Sequence, residues 1–333
     1  VVASPASVRV ASVAQLCARI EDSRSELRTM LAHAGALLFR GYHVHGAEDF
    51  SAVVSALAGS SAALREYRDG ISPRTVVLDR VYTSTEYPAC YDMALHNEMS
   101  YSREPPSCIA FCCVVAPEYG SGGQTPLVDS RRVLRRLDPE VVRTFRQQSL
   151  LYQVNYPSRG MGPGVSWQTA FDTEEAALVE RYCRELGAEF EWLPYESLEL
   201  QQEASSSSTS APAQRLRTYK VGPTIRVHPV TQQEVWSNHA HLFHPSDLPT
   251  PTLEALQRTY GNDTSSLPKN CTFADPEHTP LASDQLAHIR HTLWTESVSF
   301  DWMAGDILVV DNLAVAHGRR AFVGERLILA AMF

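Results

Sequence analysis

The sequence predicts a mainly β protein with flanking helices, folded as one domain over residues 1–333. Two observations carry this. The strongest apolar runs, Cys108 to Ala116, Ile307 to Val310 and Arg326 to Met332, have the length of buried strands. Nothing in the pattern separates two cores, and the residues of most chemical interest, around 96 and 317, stand in opposite halves of the chain.

In chain order, a helix opens at Ser12, with Gln15 as its capping-box partner. Val13, Leu16, Ile20, Leu27 and Leu31 form its apolar stripe, and Gly35 suits its end. A short buried strand (36–40) and a second amphipathic helix (47–57) follow, so residues 1–60 read as a helical buttress within the domain. Residues 60–92 are weakly patterned, with Val76-Val77-Leu78 the best strand. The segment 94–101 reads as extended, Pro105-Pro106 interrupts it, and 108–116 continues as a central strand. Residues 119–125 form a turn rich in glycine, without the Gly-Lys-Ser/Thr ending of a phosphate loop.

Helices are expected from 130 to 137 and from Asp138-Pro139 to about Gln147. Residues 152–168, with Gly160, Gly162, Gly164 and Trp167, read as an irregular loop able to act as a lid. A helix spans 173–187. The Ser-rich stretch at 201–215 is of low complexity and reads as a surface-loop insertion. Strands resume at 224–227 and 234–238, helices at 252–260 and 283–294, and strands at 298–303, 307–310 and 326–332.

Hydrophobic residues at 44% and charged residues at 20% are ordinary globular values, and the length allows a large core. A net charge of −9 argues against a nucleic-acid binder, which needs a basic surface to displace counterions. It is equally unhelpful toward anionic membranes, and no stretch is apolar and long enough to span one. Seven cysteines with no Cys-x-x-Cys pair suggest neither a zinc ribbon nor a redox motif, and they favour a reducing cytoplasm. The pattern fixes no oligomeric state.

The chemistry centres on Ala94-Leu95-His96-Asn97-Glu98-Met99-Ser100-Tyr101. On an extended backbone residues i and i+2 share a face, so His96 and Glu98 can converge. With 12 His and 38 acids, roughly one His-x-acid triplet is expected by chance, and there is one. Its position beside a buried strand gives it weight. His317, which follows the apolar run 307–310, offers a third ligand. Two His and one carboxylate on one side of an ion leave open positions, the facial arrangement of non-haem Fe(II) oxygenases. A rival cluster, His239, His241 and His244, could make a His₃ zinc site. It has no acid nearby, and His244-Pro245 ends the strand on which it would sit.

The segments LHNEMSY, GSGGQTPLVDSRRVL, FDWMAGDILVVDN and VAHGRRAFVGERLIL occur in that order from about Ala36 onward. Together they resemble the TauD/TfdA group of Fe(II)/2-oxoglutarate dioxygenases, the clavaminate synthase-like proteins. The resemblance implies a double-stranded β-helix, or jelly roll, with Fe(II) held by His96, Glu98 and His317. It further implies 2-oxoglutarate as co-substrate, contacted by Thr125 in the glycine turn and by Arg326 on the strand after His317, with O₂ as oxidant. The expected outcome is hydroxylation of a small-molecule substrate with release of succinate and CO₂. With Glu98 present, halide has no vacant place on the iron. Trp167, Asn238 and Asn97 are the candidates to line the substrate's approach. Two alternatives remain open here: a non-catalytic, metabolite-binding member of the fold, and a zinc hydrolase using the 239–244 histidines.

Overall fold

The computed structural model describes residues 2–3, 12–68, 70–72, 74–195, 214–261 and 263–333. Its largest sheet has seven strands, in the order Val2–Ala3, Ala36–Phe39, Ile307–Asp311, Cys108–Val115, Leu327–Met332, Val81–Thr83 and Val76–Leu78. Only the first pair is parallel. The central strand is apolar throughout because both its faces are buried. Ile109, Phe111 and Cys113 face a core shared with the smaller sheets, while Ala110 and Cys112 face a second core under the N-terminal helices.

Opposite the large sheet lie three antiparallel strands, Met93–His96, Val315–Arg319 and Leu127–Asp129. A four-stranded antiparallel sheet completes that side, in the order Lys269–Phe273, Ser149–Tyr156, Gln214–Pro223 and Glu189–Pro194. Sheet facing sheet across an apolar core, with helices outside, is the jelly roll that the motifs imply.

Several elements depart from the sequence reading. The capping box of Ser12 and Gln15 forms, but the helix breaks at Ser23 into Val13–Asp22 and Arg24–Ala34. The break lets Leu16 and Ile20, then Leu31, reach one core from two axes. The expected strand 298–303 is reduced to one bridge between Val298 and Leu127. Trp167 opens the short helix Trp167–Phe171, capped by Ser166, and does not sit on the glycine loop. Of the Ser-rich insertion, residues 201–213 lie outside the described residues, and Gln214 already belongs to a strand. Among the described residues no helix is long and apolar enough to cross a membrane.

Candidate metal and co-substrate site

The strand bearing His96 stops at that residue, so alternation along a strand is not what brings Glu98 round. Residues 97–101 turn instead, with Met99 in the left-handed region at φ 51. Asn312 fixes this turn from the far end of the chain. Its Oδ1 accepts from the Glu98 amide at 2.6 Å, and its Nδ2 donates to the Glu98 carbonyl at 2.9 Å and the Pro106 carbonyl at 2.8 Å. Asn97 assists, its amide donating to the Asn312 carbonyl at 2.7 Å.

His317 pairs directly across strands with His96. The next residue must be glycine, because a Cβ at Gly318 would stand 2.6 Å from the Met93 carbonyl oxygen. Close packing of these strands leaves the two imidazoles 4.7 Å apart between ring centres. Each Nε2 is 3.9 Å from Oε2 of Glu98, and donor atoms of the three residues lie within 4.8 Å of one another. Among the described residues this is the only group of three His, Cys, Asp or Glu so placed.

The protonation states suit a cation. Nδ1 of His96 lies 2.8 Å from the Ala94 carbonyl oxygen, so Nδ1 carries the proton and Nε2 presents its lone pair. Burial lowers the pKa of His96, against the pull of Glu98. Burial, then the positive charges His96 and Arg74 would present, push that of His317 well below the usual histidine range. Two neutral imidazoles and a carboxylate, with a narrow cavity beside them, fit a ferrous ion.

The rival histidines do different work. Nε2 of His239 lies 2.7 Å from the Asn97 carbonyl oxygen, and Nε2 of His241 lies 2.8 Å from that of Leu95. Both nitrogens therefore donate to the backbone that carries His96. Burial lowers the His241 pKa to about 3, so it remains a neutral clamp. His244 turns to Ser246. The segment is a short helix, Ala240–Phe243, rather than a strand end.

Thr125 and Arg326 line the same cavity as His96 and His317. Thr125 Oγ1 accepts from Trp302 Nε1 at 3.1 Å and sits 3.5 Å from an Arg326 nitrogen. Arg326 also donates to the Gly123 carbonyl at 2.9 Å. That turn depends on Gly122, at φ 88, where a Cβ would be 2.0 Å from the Ala321 carbonyl oxygen. Burial, then repulsion from Arg319, lowers the Arg326 pKa to about 10, so it stays charged at neutral pH. Arg319 and Arg320 are otherwise engaged. The former holds the carbonyls of Tyr87, Pro88 and Tyr91, and the latter pairs with Asp92 and stacks on Trp294.

The three residues expected along the substrate's approach are not brought to this cavity. Asn97 is committed to Asn312, and Asn238 caps its own loop, donating to the Thr224 carbonyl and accepting from the Ala240 amide. Trp167 is buried on Trp192, its indole N–H donating to Ser158. What the sequence reading missed is Arg74, whose guanidinium donates to Oε2 of Glu98 at 2.7 Å. A lone Arg in a weakly patterned stretch gives no signal of its own.

The chain is similar to known proteins along nearly its whole length. The family described as "Taurine catabolism dioxygenase TauD, TfdA family" matches residues 4–332. The dapdiamide synthesis protein DdaC of Enterobacter agglomerans is 35% identical over 310 residues, covering 93% of this chain and 85% of that protein. A clavaminate synthase-like protein of Arabidopsis thaliana is 30% identical over 321 residues, covering 94% and 86%. PvcB, an Fe, alpha-ketoglutarate dependent oxygenase from an isonitrile synthetic pathway, shares the fold with a TM-score of 0.53. It is 15% identical, with 99% of this chain and 84% of that chain covered. The chain belongs to the TauD/TfdA family and is an Fe(II)/2-oxoglutarate-dependent dioxygenase.

Proposed function

We propose that His96, Glu98 and His317 hold the ferrous ion, that Thr125 and Arg326 receive 2-oxoglutarate, and that a small amino-acid-like molecule is oxidised at carbon. The observation that carries this is the convergence of three donors within 4.8 Å, in one cavity with the half-buried Arg326. Among the described residues no carboxylate forms an ion pair with Arg326, and a half-buried guanidinium without one favours an anion. Bound there, iron with 2-oxoglutarate and O₂ supplies the oxidising power, and the co-substrate leaves as succinate and CO₂. The protein's share is to keep both imidazoles neutral, fix Glu98 through Asn312, and orient the diacid between Thr125 and Arg326.

The kinship with a protein of dapdiamide synthesis supports an amino-acid-like substrate. Strands from both ends of the chain share one sheet, which supports reading residues 1–333 as one domain with 1–60 as its buttress. All seven cysteines are free, which favours a cytoplasmic setting.

A screen of Fe(II)-dependent succinate release against amino acids, carrier-bound amino acids, sulfonates and aryloxy acids tests the substrate. At least one amino-acid class should raise turnover above the substrate-free rate. A response confined to sulfonates or aryloxy acids would overturn that half of the reading. Asn312→Ala should weaken metal binding by ~10–100-fold, the usual cost of losing an outer partner that orients a ligand. Isothermal titration with Mn(II) measures it, and unchanged affinity would remove Asn312 from this role.

A further inference from the structure

Arg74 occupies an unusual position. Its side chain is 2% exposed, and beyond a contact with the Tyr67 hydroxyl its Nε and one terminal nitrogen have no hydrogen-bond partner. The other terminal nitrogen holds Glu98, and the guanidinium lies 4.7 Å from the centre of the Tyr67 ring. Buried donors without partners are uncommon, and each calls for an explanation such as a bound ligand, ion or water.

Two cavities meet at this residue. The inner one, about 30 Å³, touches His96, His317, Thr125 and Arg326. The outer one, about 450 Å³, lies among Arg68, Arg80 and Arg159 and the acids Glu66, Asp79 and Asp172, and is of the size that takes small ligands. Arg74 alone lines both. The guanidinium therefore stands between the two cavities.

We propose that Arg74 is the anchor for an anionic group of the substrate, specifically a carboxylate, and that the outer cleft is where the substrate lies. The inference rests on the reading of the triad as the metal site. In the present geometry the Arg74 fork is satisfied on one side by the Glu98 carboxylate. When Glu98 serves a metal ion, the same fork faces the cleft with donors to spare, and a planar guanidinium matches a carboxylate through two parallel hydrogen bonds. A substrate held this way would place the carbons next to its carboxylate toward the inner cavity. Arg74 would thus select for acids over their amides.

The test uses the protein loaded with Mn(II) and the 2-oxoglutarate analogue N-oxalylglycine, titrated with matched pairs of amino acids and their carboxamides. The wild type should bind at least one acid more tightly than its amide. Arg74→Ala should weaken that acid at least about tenfold and erase the preference, while Arg74→Lys keeps part of it. Because Arg74 bonds the ligand oxygen of Glu98, Mn(II) affinity is measured in the same variants and Mn(II) is kept saturating while the acids are titrated. Three results would overturn the proposal: no acid binds the wild type, Arg74→Ala binds the acids as the wild type does, or Arg74→Ala loses Mn(II). The last would make Arg74 a support for Glu98 instead. Failure of the underlying metal reading looks different, since His317→Ala would then retain Mn(II).

Discussion

His317→Ala is expected to yield a folded protein that no longer holds Fe(II) and releases no succinate. The imidazole it removes is one of three donors converging within 4.8 Å, and no other described His, Cys, Asp or Glu is placed to replace it. The loss should exceed the ~10–100-fold typical of an outer-shell change, because a first ligand is gone. Iron content after anaerobic loading and gel filtration gives the measurement, with circular dichroism reporting the fold. Full occupancy in this variant would sink the assignment. His239→Ala makes the contrast, because its Nε2 already donates to the Asn97 carbonyl. That variant should keep its iron and lose stability instead, by the ~1–3 kcal/mol that an unsatisfied buried carbonyl costs.

Arg326→Ala is expected to raise the 2-oxoglutarate concentration needed for half-saturation by roughly two to four orders of magnitude. Removing one member of a buried ion pair costs ~3–5 kcal/mol, since the remaining charge is left unpaired. Iron binding should change little, for Arg326 contacts Gly123 and Thr125 and none of the three donors. Titration of 2-oxoglutarate against succinate formation, beside a Mn(II) isotherm, separates the two effects. Arg319→Ala should mainly loosen the 87–91 segment, whose carbonyls it gathers. Were Arg319→Ala or Arg320→Ala to show the larger effect on 2-oxoglutarate, the wrong arginine has been chosen.

The fold was legible where a local rule governs a local outcome. The run 108–115 is apolar because both its faces are buried, and Gly35 ends its helix at φ 80, where glycine is at ease. Legibility failed where the deciding partner is remote. Nothing near Glu98 announces that Asn312, 214 residues away, supplies the bonds that set its turn. The same holds for His239 and His241, whose spacing suggests a metal but whose protons go to the Asn97 and Leu95 carbonyls. Asn238 and Trp167 looked polar or aromatic enough to meet a substrate. Each closes a hydrogen bond inside its own neighbourhood, a use that residue type alone does not show.

The pairing of His317 with His96, and of Asn312 with Glu98, also has a consequence in time. Synthesis delivers His96 and Glu98 early and their partners only after more than two hundred further residues. Until then the nascent chain carries two donors with no third and a turn with no clamp. Translation, at ~5–20 residues per second, imposes a delay of roughly ten to forty seconds between them. A chain stalled within that interval holds no competent iron site, so the iron chemistry is confined to molecules that have already closed their sheet.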